Sequence, residues 1–100
     1  ILIDNYIYAL LSNGELSKIN LKNGKLETKY KTNICGMYFN LYKNFNGEII
    51  VSGIYEVYNF DYDLNIKDKI LCQNPIKEFY YDKNNILKVI DVNNVIYSCK

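Results

Sequence analysis

The sequence predicts an all-β fold of short antiparallel strands, on three observations. Asn13-Gly14 and Asn23-Gly24 each sit between alternating apolar runs, and Asn-Gly tolerates the positive φ that tight hairpins need. About ten apolar, β-branched runs follow one another, each cut off by Asn, Asp, Gly or Pro. No stretch sustains a 3.6-residue period with a cap, so no helix is expected.

Taken in order, Ile1 to Ile3 reads as the end of a first strand, broken by Asn5, and Tyr6 to Leu11 as a short buried strand. Glu15 to Leu21 alternates, with Leu16, Ile19 and Leu21 apolar and Lys18 and Asn20 between them. Lys25 to Lys31 places Leu26, Thr28 and Tyr30 on one face and four charges on the other. Such a row reads as an edge guarded by lysine. Ile34 to Tyr42 is a longer strand with a bulge expected at Gly36. Asn44 to Gly47 turns into Glu48 to Val51, and Ser52-Gly53 breaks the chain. In Tyr55 to Tyr62 the alternation slips between Val57 and Phe60, which predicts a bulge or a change of face. Asp63 to Asn65 turns into Ile66 to Cys72, with Lys67, Asp68 and Lys69 expected outside. Pro75 suits a strand start. Ile76 to Tyr81, Ile86 to Val92 and Val95 to Cys99 complete the chain, with turns at Asp82 to Asn85 and at Asn93-Asn94.

Composition narrows function more by exclusion than by assignment. Asn, Ile, Lys and Tyr make up 52 of 100 residues, and there is no Arg and no His. Those four share codons rich in A and T, so abundant tyrosine is not in itself a binding signal. A net charge of +1 implies no electrostatic partner. Cys35, Cys72 and Cys99 form no CxxC and have no histidine to help them, so they read as small buried hydrophobes rather than metal ligands. No apolar run reaches the roughly 18 residues of a membrane-spanning helix, and no targeting segment is visible. A first residue that is Ile suggests processing or a fragment.

Segments recur along the chain. Tyr55 to Asn59 matches Asn94 to Ser98 at an offset of 39, and Asn46 to Val51 matches Asn84 to Val89 at an offset of 38. Leu16 to Leu21 matches Val57 to Tyr62 at 41. A period near 40 with four strands per unit is the signature of β-propeller blades. The blades would be roughly residues 1–32, 33–73 and 74–100, the last incomplete. Too few to close a ring, they imply a larger propeller or closure by self-association. The alternative arrangement is a small β-sandwich or barrel of the same strands.

Tyr8-Ala9-Leu10, Asn13-Gly14-Glu15-Leu16 and Asn23-Gly24-Lys25-Leu26 resemble the quinoprotein-like (PQQ-type), WD-like propeller repeat over about a quarter of the chain, and the rest resembles it faintly, without the Gly-His and Trp-Asp signatures of WD repeats. The family's tryptophan falls on Thr28, and the chain has no Trp. The resemblance implies the fold and implies neither a bound quinone nor a dehydrogenase.

Catalytic signals are lacking. Without His, neither the serines nor the cysteines have the base that a triad needs. Asp61 and Asp63 are too few oxygens for a calcium loop and read as a solvated turn. No glycine pattern would cradle phosphate, and no basic aromatic track would hold nucleic acid. No cofactor or metal is expected. The expected function is a non-catalytic scaffold that binds a protein or peptide through one loop face. In a four-stranded blade, the second-to-third strand turns and the blade-to-blade loops share that face. Its candidates are Asn13, Thr32, Asn33, Ser52, Tyr55, Gln73, Asn74, Asn93 and Asn94. The alternative is a fragment of a cofactor- or metal-binding propeller enzyme whose active site lies elsewhere.

Overall fold

The structure, a computed structural model, describes residues 1–34, 39–44 and 47–99. Among them, eleven strands and no helix form three antiparallel sheets. The first sheet holds β1 (Leu2–Ile3), β2 (Tyr6–Leu10), β3 (Glu15–Asn20) and β4 (Leu26–Lys31). The second holds β5 (Asn40–Lys43), β6 (Ile49–Ser52), β7 (Glu56–Phe60) and β8 (Ile66–Leu71). The third holds β9 (Ile76–Tyr81), β10 (Leu87–Asp91) and β11 (Ile96–Ser98). Every pairing joins strands adjacent in sequence, so each sheet is a simple meander.

The turns explain why the strands are short and regular. Four of them share one geometry, at Leu11–Glu15, Asp61–Asn65, Asp82–Ile86 and Asp91–Val95. In each, the first N–H donates to the fifth carbonyl and the fourth N–H to the first carbonyl. The fourth residue has positive φ: Gly14, Leu64, Asn85 and Asn94. This is a type I turn closed by a left-handed residue. Three of the turns begin with aspartate, whose Oδ1 accepts two further backbone N–H groups. Asp61 takes those of Asp63 and Asn65, Asp82 those of Asn84 and Ile86, and Asp91 those of Asn93 and Val95. A short side chain mimicking a backbone turn is the reason aspartate opens them.

The second sheet lies between the other two, and each of its faces carries half of the core. Ile49, Val51, Tyr58 and Phe60 point to the first sheet and pack with Tyr8, Leu10 and Leu16. Ile50, Val57 and Ile70 point to the third and pack with Leu87 and Val89. This corrects the reading of Tyr55 to Tyr62. Its pattern looked irregular because β7 is buried on both faces along its whole length. The register slip does occur, between Asn59 and Phe60 against β8.

Other expectations shift with the same geometry. Lys18 does not lie on the outer face but is buried beside Leu16, 7% exposed. Its Nζ sits 4.3 Å from the Tyr6 ring centre and 3.3 Å from Asp63 Oδ1. A lysine stem covers apolar surface while its head reaches a carboxylate at the margin. Asp68, expected outside, is half-buried toward the third sheet, while Lys67 and Lys69 are exposed. Of the longer strand expected from Ile34 to Tyr42, residues 35–38 lie outside the described residues, and the described part forms β5 from Asn40. Gly36 and Cys35 lie outside the described residues, as do Phe45 and Asn46 of the Asn44–Gly47 turn. Cys72 is buried and Cys99 half-buried, both as free thiols. The lysine-guarded edge is β4, with Lys29 and Lys31 exposed.

Candidate functional site

Nine polar loop residues were expected on one face, and backbone hydrogen bonds connect the loops that carry them. The β2–β3 turn meets the segment after β4, where Thr32 N–H and Oγ1 both donate to Gly14 O, at 2.8 and 2.7 Å. Lys31 Nζ also donates to Asn13 O. The β6–β7 turn meets the segment after β8: Cys72 N–H donates to Tyr55 O and Ile76 N–H to Ile54 O, both at 2.7 Å. The β10–β11 turn meets the same segment, with Val92 N–H donating to Pro75 O at 2.9 Å and Asn74 Nδ2 to Asp91 Oδ2 at 3.3 Å.

Two tyrosines stitch sheet to sheet in the same way. Asn33 N–H donates to Tyr58 Oη at 2.8 Å, and Gln73 N–H donates to Tyr97 Oη at 3.3 Å. In each pair the tyrosine is on the third strand of one sheet and the N–H is on the segment leading into that sheet. Burial raises the Tyr58 hydroxyl above its ordinary value; the donated Asn33 N–H works against that, and the nearby Glu56 adds to it. Tyr58 therefore stays a neutral phenol and a dependable acceptor.

The expected residues divide by exposure. Asn13, Asn33, Tyr55, Gln73, Asn93 and Asn94 are exposed, and Asn74 is half-buried. Thr32 and Ser52 are buried, 2% and 4% exposed, and can touch no partner. Thr32 instead locks the Gly14 turn and accepts Ile34 N–H through its hydroxyl.

A cleft of roughly 210 Å³ opens on this loop end, lined by Asn33, Ile34, Ile54, Tyr55 and Glu56. Asn33 and Tyr55 belong to the expected set; Ile34, Ile54 and Glu56 do not. Ile54 and Tyr55 form the corner of a tight turn closed by Gly53 N–H to Glu56 O at 2.8 Å. Both side chains stand out, each 45% exposed, yet both carbonyls are held by the third sheet's leading segment. Glu56 Oε2 accepts Tyr55 N–H at 2.9 Å. An ideal Cβ on Gly53 would lie 3.0 Å from both Glu56 Oε2 and Ile34 Cγ1. Glycine there lets the carboxylate and the Ile34 side chain converge under the turn. Periodicity could not have found Glu56, which is buried at the first position of the central strand β7.

A second polar group lies between the second and third sheets. Glu48, Asn59, Asp68 and Tyr81 converge there, with Lys67 reaching in from the edge. Asn59 Nδ2 donates to Glu48 Oε1 at 2.9 Å and Asp68 Oδ2 at 3.5 Å, and Tyr81 Oη donates to Asp68 Oδ2 at 2.9 Å. Lys67 pairs with Glu48 Oε2 at 2.6 Å. Burial works against the Glu48 charge, but the Asn59 amide and Lys67 outweigh it and hold its carboxyl below the ordinary value. Burial and the Asp68 carboxylate push the Tyr81 phenol well up. Asn59 Oδ1 is buried and has no hydrogen-bond partner among the described residues. Asp91 is likewise buried; its charge is opposed by that burial but held by Val95 N–H, Asn74, Asn93 N–H and Tyr97, so its carboxyl also lies low.

Among the described residues, no group of three or more His, Cys, Asp or Glu could hold a metal ion, and no helix is long and apolar enough to cross a membrane. No protein-family model matches the chain, and comparison with curated proteins yields no match.

Proposed function

We propose that this chain is a β-propeller-type interaction module that binds a protein or peptide at its loop end, with the cleft beside Ile54 and Tyr55 at the centre of the contact. The cleft carries the reading. Small-molecule sites run to about 300–1,000 Å³, and this one, at roughly 210 Å³, suits a single inserted side chain better than a cofactor. Interface energy concentrates in a few aromatic and apolar anchors on a rigid support. Ile54 and Tyr55 meet that description, exposed at their side chains and fixed at their carbonyls. The surrounding Asn33, Asn74, Gln73 and Asn93 suit a wet, transient rim.

Selection of a displayed library of random short peptides on the immobilised chain tests this. Enriched peptides should lose binding to the double variant Tyr55→Ala, Asn74→Ala; binding left intact would remove this face from consideration.

The blade arrangement is part of the same proposal. Equivalent hydrogen bonds recur at Asn33–Tyr58 and Gln73–Tyr97, and the middle sheet takes a neighbour on each face. The outer face of the first sheet leaves Leu2 and Leu26 exposed, and that of the third leaves Tyr80 and Ile96 exposed. These faces suit further sheets, from a longer chain or a second copy. Sedimentation of the 100-residue chain should show concentration-dependent association; a strict monomer at high concentration would count against it.

A further inference from the structure

Glu56 is the feature of the cleft that an apolar anchor site does not need. It is 9% exposed, and among the described residues its carboxylate takes one hydrogen bond, from Tyr55 N–H. Among the described residues no lysine forms an ion pair with it; Lys18, Lys29 and Lys67 pair with Asp63, Glu15 and Glu48 instead. Its other oxygen is not sealed from solvent, so it is open to a donor from the cleft, and a carboxylate this recessed is normally paired. Glu56 nevertheless stands at the cleft wall, next to Ile34 and below the Ile54–Tyr55 corner.

Resting on the docking role proposed above, we propose that the cleft takes a lysine or arginine side chain from the partner, its stem against Ile34, Ile54 and Tyr55 and its cationic head on the Glu56 carboxylate. The pieces fit that class of side chain and no other common one. The walls are apolar, as a methylene stem requires. The volume of roughly 210 Å³ admits one extended side chain. The tyrosine ring at the mouth favours a cation. A carboxylate with unused acceptor capacity at the wall matches ammonium or guanidinium donors, whose charge-assisted hydrogen bonds are about twice as strong as neutral ones. An acidic side chain would meet like charge, and a purely aliphatic one would bury Glu56 further without pairing it.

Blocked pentapeptides Gly-Ser-X-Ser-Gly, with X lysine, arginine, norleucine or glutamate, make the probe, read by amide chemical shifts of the labelled chain. Lysine and arginine should move the amides of residues 33–34 and 53–56 and bind roughly tenfold or more tighter than norleucine. Glutamate should not bind. Glu56→Gln keeps an oxygen for Tyr55 N–H, so the fold should persist, and it should erase the preference for lysine over norleucine. Norleucine binding as well as lysine at these amides would overturn the cationic assignment while leaving the docking cleft standing. No peptide perturbing these amides would overturn both. The lysine–norleucine comparison on the unaltered chain decides the matter even if Glu56→Gln misfolds.

Discussion

Gly14→Ala is expected to destabilise the chain by about 3 kcal/mol, a large share of the roughly 5–15 kcal/mol typical of a domain. Two effects add. Gly14 holds φ at +91°, and a left-handed residue with a Cβ pays about 1–2 kcal/mol. A Cβ there would also lie 2.5 Å from Ile34 O and 2.8 Å from Thr32 O. Both are backbone atoms, so the segment after β4 must move. Movement breaks the two hydrogen bonds from Thr32 to Gly14 O, each worth about 1 kcal/mol. The thermal midpoint should fall by on the order of 15 °C. Gly24→Ala is the control. Its φ is also positive, but nothing lies within 4 Å of the new Cβ, so about 1 kcal/mol is expected. Equal losses at the two glycines, measured by thermal or urea unfolding, would show that the close approach at Gly14 contributes nothing.

Asn59→Asp should cost about 3–5 kcal/mol at neutral pH, the scale of a buried charge left uncompensated. The Asn59 amide is the donor shared by Glu48 and Asp68. Replacing it with a carboxylate sets a third negative group against two others in a buried space, where Lys67 already pairs with Glu48. The new group must then carry a raised pKa in the folded state. A raised folded pKa means stability present at low pH and lost as pH rises through it. The variant's deficit should therefore shrink on acidification toward about pH 5, where unpaired carboxylates begin to take up protons. Urea unfolding of both proteins across that range measures it. A deficit unchanged by pH would mean that the amide's hydrogen bonds, and not charge repulsion, set the cost.

The strand order was legible because Asn-Gly, Asp and Pro punctuate the chain wherever a strand ends, and those signals are local. What the sequence concealed depends on partners distant along the chain. Lys18 alternates like a surface residue, yet it is buried because Tyr6, Tyr8 and Asp63 gather around it. Asp68 sits in a charged run and looks solvated, yet Asn59 and Tyr81 turn it inward. Leu64 has no glycine-like signature, but it holds φ at +61° because its side chain is buried in the core between the first two sheets. The expected loop face rested on polar residues between strands, and two of them, Thr32 and Ser52, are internal. Glu56 and Ile54 were missed because a buried carboxylate and an exposed isoleucine both run against the ordinary pattern. Departures of this kind are expected at functional or strained sites.

Amide chemical-shift mapping with a library-selected peptide tests the central claim most directly, because it asks where a partner sits. The predicted result is a contiguous set of shifts at Asn33, Ile34, Gly53, Ile54, Tyr55, Glu56 and Asn74. Shifts confined to the exposed outer faces, at Leu2 and Leu26 or at Tyr80 and Ile96, would contradict it and make the sheet faces, not the loop end, the surface of recognition.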